Sequence, residues 1–385
     1  MWIATFLMFV TGSILFCFYM GYFLFMLKRS RQYRPLNVEY SPSVSVILPT
    51  YNEEATIKSK LRNLLDQGYP VEIVLVDSAS QDRTLSLAME FMQDNGLDVR
   101  IIAEKERRGK ASALNNAFNY CNHEIVVITD SDSVWEKGAL KRAVSNFLDK
   151  DIGAVTGRQI LMNADQTFTT KLEKSYRSVY EVLRVGESVL DSTPIFHGEI
   201  SCFRKDLIET IYERSMADDS ELAIKIRKKG FRSIYDPAVV FYEYAPPTLA
   251  SRFKQKVRRG QGLIDLFLRE RGLVFNGRYG AFGRIVFPAE FFMHVVSPSL
   301  LLLFLGAFLL SLDFFSLLFG IALLLLSSLL MLVSMKMSLI HLIFSFLQSQ
   351  FILFISLLNH LLGRSQHKWG KIEEVRELWK KENVP

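Results

Sequence analysis

The chain has 385 residues, 49% of them hydrophobic and 30 of them phenylalanine, with a net charge of +6. That is too apolar for an ordinary soluble enzyme, and the apolar excess gathers at the two ends. The modest positive charge lies beside those apolar segments, which fits an anionic membrane face and not nucleic acid; no nucleic-acid motif, internal repeat or low-complexity tract is present.

In chain order, Met1 to Leu27 carries no charged residue and is long enough to cross a bilayer as one helix. No basic residue precedes its apolar stretch and no clear small-residue cleavage site marks it, so a retained anchor is expected and not a signal peptide. Lys28, Arg29, Arg31 and Arg34 follow, which by the positive-inside rule puts this end in the cytoplasm and the N-terminus outside.

Between about 42 and 270 the charge and turn signals return. Ser43 to Pro49, Glu72 to Val76, Val99 to Ala103 and Ile125 to Thr129 are short, mostly apolar, β-branched runs. Each precedes a helical pattern, near 54–66, 82–95, 109–120 and 137–149, and this alternation predicts a mainly parallel sheet with helices on both faces. Further strands are expected at 152–157, 199–203 and 231–243, and an amphipathic helix at about 166–190.

From Ile285 to Leu362 charge again nearly vanishes, apart from Glu290, Asp313 and Lys336. Three apolar segments are predicted, near 285–311, 314–335 and 338–362. Three crossings would leave the C-terminus outside, whereas Arg364, Lys368, Lys371, Arg376, Lys380 and Lys381 favour a cytoplasmic tail. One apolar segment is therefore expected to lie in the interface, marked by Phe287-Pro288-Ala289-Glu290 or by the Gln348-Ser349-Gln350 break.

The chemistry-bearing residues cluster at predicted strand ends. Asp130-Ser131-Asp132 follows Ile125-Val126-Val127-Ile128; two carboxylates at a strand terminus can converge on one hard divalent cation, although on this spacing alone a solvated turn is the better-supported reading. The first strand ends in Pro49-Thr50-Tyr51-Asn52-Glu53-Glu54 and the second in Asp77-Ser78-Ala79-Ser80-Gln81-Asp82. An aromatic ring (Tyr51) beside Glu53 and Asp77 suits a stacked base and a ribose, while helix capping accounts for Glu54 and Asp82. Arg107-Arg108-Gly109-Lys110 enters a helix N-terminus, where cations oppose the macrodipole unless they face an anion such as a diphosphate; a solvated loop is the alternative. Asp218-Asp219 opens another helix, as a cap or as a source of a general base. Gln255-Lys256-Val257-Arg258-Arg259 reads by itself as a juxtamembrane, phospholipid-facing patch. Cys17, Cys121 and Cys202 are scattered without C-x-x-C spacing, against a disulfide framework or a zinc site.

As an ordered set these motifs resemble the family 2 glycosyltransferases, especially the membrane-integrated cellulose, chitin, hyaluronan and poly-N-acetylglucosamine synthases. The resemblance implies an α/β GT-A (Rossmann-like, mainly parallel sheet) catalytic domain at 42–270. It would lie between a transmembrane anchor at 1–27 and transmembrane or interfacial helices at 285–362, with a basic tail at 363–385. It implies a nucleotide-sugar site using Thr50, Tyr51, Glu53, Asp77, Lys110, Asp130, Gln255, Arg258 and Arg259, and Mg2+ or Mn2+ on Asp132 with Asp130. Asp219 would be the catalytic base of an inverting transfer. Gly157-Arg158-Gln159 and Gly198 to Arg204 fall where the family's acceptor-side segments lie. The usual second acid and glycine after Asp77 are Ser78 and Ala79 here, and Arg259 replaces the tryptophan of Gln-x-x-Arg-Trp, which puts processive polymerisation in doubt.

The expected enzyme sits in the cell membrane with its catalytic domain cytoplasmic. It moves a sugar from a uridine-linked donor to a hydroxyl of a lipid-linked glycan or polysaccharide. Single transfer to a polyprenyl phosphate or lipid is the alternative, and a non-catalytic nucleotide-binding protein or a transporter is less supported.

Overall fold

The computed structural model describes residues 2–36, 38–97, 99–311, 314–335, 339–364 and 372–381. The apolar runs form β1 (Val44–Thr50), β2 (Val71–Asp77), β3 (Val99–Ala103) and β4 (Ile125–Ile128), all mutually parallel where they pair. After them come β5 (Ser133–Trp135), β6 (Ile152–Leu161), β7 (Ser201–Arg204) and β8 (Arg232–Glu243). One eight-stranded sheet results, in the order β3-β2-β1-β4-β7-β6-β8-β5. The strand order reverses between β1 and β4, the position at which an open α/β sheet leaves a ligand crevice beyond the strand C-termini. β7 runs antiparallel to β4 and β6, and β5 antiparallel to β8, so the second half of the sheet is mixed.

Strand residues are buried on both faces because helices cover both. On one side Val44, Val46 and Leu48 pack with Ile57, Leu61 and Leu64 of α2 (Ile57–Leu65), with α3 (Thr84–Asn95) and with Leu140 and Ala143 of α5 (Ala139–Ser145). On the other, Ile47, Val126 and Ile128 meet Ala113 and Leu114 of α4 (Lys110–Phe118), and Leu222 and Ile226 of α7 (Asp218–Lys228). β5, which the sequence reading did not anticipate, is three residues long and is held by pairing along its whole length with Phe241 to Glu243 of β8.

A third core joins this domain to the apolar helices. Tyr22, Phe23 and Met26 of α1 (Trp2–Ser30) pack with Leu183 of α6 (Phe168–Leu190) and Phe267 of α8 (Leu249–Arg269). Gly186 of α6 allows this approach, since a Cβ there would lie 2.5 Å from the Met26 carbonyl. Polar pairs reinforce it: Tyr22 donates to Glu187 at 2.7 Å, and the Gln350 amide donates to the Tyr19 hydroxyl at 2.8 Å.

Among the described residues three helices, Trp2–Ser30, Phe282–Leu310 and Ile343–Leu361, are long and apolar enough to cross a membrane. The second contains π turns at Phe282–Val286 and Phe292–Val296, with α9 (Phe287–Phe291) between them and α10 (Ser297–Leu310) after. α11 (Phe314–Met335) contributes the shorter apolar stretch Leu317–Leu329, and α12 (Leu339–Leu361) carries the third long one. Neither expected mark of an interfacial segment interrupts its helix. Pro288 sits in the first turn of α9, where its missing N–H is tolerated, and Gln348 and Gln350 find partners on α8 and α1. The breaks at Asp313 and Lys336, and the tail residues Lys368 and Lys371, lie outside the described residues. Within the tail, α13 (Glu373–Lys381) packs back onto the α/β domain.

Candidate active site

β1 and β2 end in register, Thr50 opposite Asp77, and turn sharply. Asn52 and Ala79 both take left-handed backbone angles, φ 53° and 58°, which cost non-glycine residues energy and here hold two loops together. Asn52 donates its N–H to the Ser80 hydroxyl and accepts from the Gln81 N–H at 2.8 Å. The buried Asp77 carboxylate accepts from the Ser80 N–H at 3.0 Å, the Ser80 hydroxyl at 2.5 Å and the Thr50 hydroxyl at 3.3 Å. Glu53 is likewise buried and accepts from Thr56. Glu54 and Asp82 bond to backbone N–H groups around the start of α3, as capping residues would. Tyr51 points at the cleft with the Arg107 guanidinium 3.9 Å above its ring. Arg108 pairs with exposed Glu106 and is solvated.

The densest constellation surrounds Lys110. Its ammonium lies 2.7 Å from Asp130 Oδ1 and 3.6 Å from Asp218 Oδ2. Gly198 leaves the space in which these groups meet: a Cβ there would lie 2.8 Å from Lys110 Nζ, 3.3 Å from Asp130 Oδ2 and 3.7 Å from Asp219 Oδ2. Residues 110, 130, 198 and 219 are thus one cluster. Burial disfavours the Lys110 charge, but Asp130 and Asp218 outweigh it and hold the ammonium above its ordinary value. Burial, with Asp218 beside it, pushes the Asp219 carboxyl up to about 7.

Asp132 lies across the same cleft. Burial and the charges of Asp130 and Glu199 push it up to about 6. The turn that presents it is braced from below by Lys60 of α2, fully buried, which donates to the Ser133 carbonyl at 3.0 Å and hydroxyl at 3.1 Å and lies over the Trp135 ring. Burial draws the Lys60 ammonium down to about 7. Glu199 is buried and paired with Arg259 at 3.1 Å, and Trp135 donates its indole N–H to the Glu199 carbonyl.

α8 turns part of its basic stretch into the cleft. Gln255, Lys256, Arg258 and Arg259 all line a cavity of about 360 Å³ that also includes Tyr51, Lys110, Asp130, Asp132 and Asp219. Lys256 serves as a brace: with Arg252 and Arg177 it surrounds the buried Glu173. Arg258 is drawn down to about 10 by burial and by neighbouring Arg259. Opposing rows of carboxylates and guanidinium groups make the cavity suited to an anionic ligand bound together with a cation.

A model of the family described as glycosyltransferase-like family 2 matches residues 42–262. The chain belongs to glycosyltransferase family 2. The glycosyltransferase is 27% identical, over 68% of its length, to the poly-beta-1,6-N-acetyl-D-glucosamine synthase of Staphylococcus aureus, and the match spans 63% of that relative. It is 25% identical to the "Probable glycosyltransferase YdaM" of Bacillus subtilis over 89% of both chains. The solved mannosyltransferase PcManGT from Pyrobaculum calidifontis, in complex with GDP-Man and Mn2+, is 30% identical. It superimposes with a TM-score of 0.73 and covers 93% of this chain and 100% of its own. The fold of the catalytic domain is GT-A, with candidate membrane spans on both sides.

Some cleft residues of this glycosyltransferase escape sequence reasoning. Lys60, which supports the cleft from beneath without lining it, had a signal: with Ile57, Leu61 and Leu64 it falls on one helical stripe, so a cation was due on the buried face. Gln159, whose buried amide has no hydrogen-bond partner among the described residues, lines the cleft from β6. Arg184 meets His197 at the same wall, and no local pattern links those two residues.

Proposed function

We propose that this enzyme transfers a hexose-type sugar, with inversion, from a nucleoside-diphosphate donor to a hydroxyl acceptor at the cytoplasmic membrane face. The convergence of Lys110, Asp130 and Asp219 about Gly198 carries this reading. Asp219 accepts the proton of the acceptor hydroxyl, whose oxygen attacks the anomeric carbon opposite the departing diphosphate. Lys110 and Arg258 bind diphosphate oxygens, and the guanidinium fork suits them. Tyr51, with Arg107 over its ring, stacks on the base, while Thr50, Glu53 and Asp77 shape the loop beneath the ribose. Gln255 and Arg259 complete the α8 wall.

The donor set fits a hard cation. Among the described residues no three metal-ligating side chains cluster, and Mg2+ or Mn2+ held by one or two carboxylates plus substrate phosphates needs no third. Asp132 and Asp130 would hold it, and Asp132, crowded by carboxylates, gains from a cation. When bound, the ion neutralises charge that develops on the leaving diphosphate.

A uridine-linked donor is the first expectation. A second reading, a guanosine-linked mannose passed once to a lipid, is favoured by the similarity to PcManGT and by Arg259 standing in place of an aromatic residue. A screen of nucleotide sugars for donor hydrolysis by the purified full chain, followed by mass analysis of product, separates them. No turnover of any nucleotide sugar would sink both.

The position of α13 supports one membrane arrangement. Its contacts with the catalytic domain favour an even number of crossings in the chain between. We infer that Phe282–Leu310 and Ile343–Leu361 cross while α11 does not, with the N-terminus outside. The tail of the full chain in sealed inside-out vesicles should then be open to protease, and protection there would refute this path.

A further inference from the structure

α13 has one face turned to the cleft. Ile372, Val375, Arg376 and Trp379, spaced as one helical stripe, all line the cavity, while Glu373, Glu374, Glu377, Lys380 and Lys381 lie away from it in sequence phase. Three contacts seat the helix. Thr248 donates to Glu374 at 3.1 Å, Arg376 donates to the Asn52 carbonyl, and Trp379 meets Tyr244 edge-on, with ring centroids 5.4 Å apart.

These seats straddle the catalytic constellation. Asn52 lies just past the end of β1, beside Tyr51. Tyr244 directly follows Glu243, the residue paired with Ser133, which places it alongside Asp132. The helix therefore spans the mouth of the crevice from the Tyr51 loop to the Asp132 turn. The Trp379 side chain is only 5% exposed, yet its indole N–H has no hydrogen-bond partner among the described residues. A buried, unpaired donor is costly, and it lies on a wall whose ligand would be rich in acceptor oxygens.

Building on the functional reading above, we propose that α13 is the roof of the nucleotide-sugar site and that Trp379 is a nucleotide-binding residue. Its indole N–H donates to an oxygen of the bound nucleoside diphosphate moiety, and Arg376 adds positive charge on the same side. The tail is then part of the binding site, 324 residues from the Asn52 loop it covers. A purely structural Trp379 would need only its apolar body against Tyr244, and phenylalanine would supply that.

The test uses the full chain in lipid nanodiscs with Mn2+, titrated with UDP and with GDP by calorimetry and by tryptophan fluorescence. Trp379→Phe is expected to weaken the nucleotide that the wild type binds by about tenfold, the effect of one hydrogen bond to a charged group. It should also remove most of the nucleotide-induced fluorescence change, although the chain has four tryptophans. Trp379→His, which restores a ring N–H, should recover part of the affinity. If Trp379→Phe binds like the wild type, or if Trp379→His is as weak as Trp379→Phe, the roof contact is wrong. A wild type that binds neither nucleotide overturns the functional reading and the roof with it.

Discussion

Asp219→Asn is expected to lower kcat by a factor of roughly 10² to 10⁴, the usual contribution of a positioned general base. Donor affinity should change little, because Lys110, Asp130 and the Tyr51 loop are untouched. Asparagine keeps the size of the side chain and an oxygen that can accept the Ser220 N–H, which Asp219 Oδ1 now accepts at 2.7 Å. What it loses is basicity. With the Asp219 carboxyl pushed up to about 7, kcat/KM of the wild type should climb with pH up to that value and level off above it, and this acidic limb should vanish in the variant. Stability should move the other way. Folding raises this pKa above its unfolded value, so the group favours the folded state at low pH, and that contribution fades as pH rises through about 7. Above pH 7 the neutral variant should be at least as stable as the wild type by thermal unfolding. A variant with full turnover would remove Asp219 from the chemistry.

The second large effect is expected on removal of the divalent cation. Excess chelator should reduce turnover on the order of 10³-fold, several kcal/mol of lost charge stabilisation on the leaving group. Added Mn2+ or Mg2+ should restore it. Asp132→Asn should resemble chelation and respond weakly to added metal. Asp130→Asn should do so less cleanly, because Asp130 also holds the Lys110 ammonium at 2.7 Å and its loss disturbs both partners. Undiminished turnover after dialysis against chelator would refute a metal-bound diphosphate. The two experiments probe opposite ends of the same reaction, the acceptor proton and the leaving group, and together they test the direction of attack across the cleft.

Family membership was legible from the motif order, and so was the GT-A sheet. Strand ends at Thr50, Asp77 and Ile128 fall within about one residue of expectation, since period-two apolar runs and polar strand termini are local signals. The Arg258-Arg259 segment was harder. By charge alone it suited a lipid surface; it faces the cleft because Glu199, 60 residues away, pairs with Arg259 and a buried Glu173 holds Lys256.

Sequence by itself determined the central strands and helices, the strand-end chemistry and the apolar helices, because helical period, alternation and turn residues act over a few neighbours. Only the tertiary structure decided which of those residues share a space. Lys60 lies under the Asp132 turn through contacts 73 residues apart, and Arg376 reaches the Asn52 loop across 324. Gly198 is where Lys110, Asp130 and Asp219 come together. Such meetings depend on how the sheet closes and how the tail folds back over it, and long-range packing of that kind leaves no period in the chain.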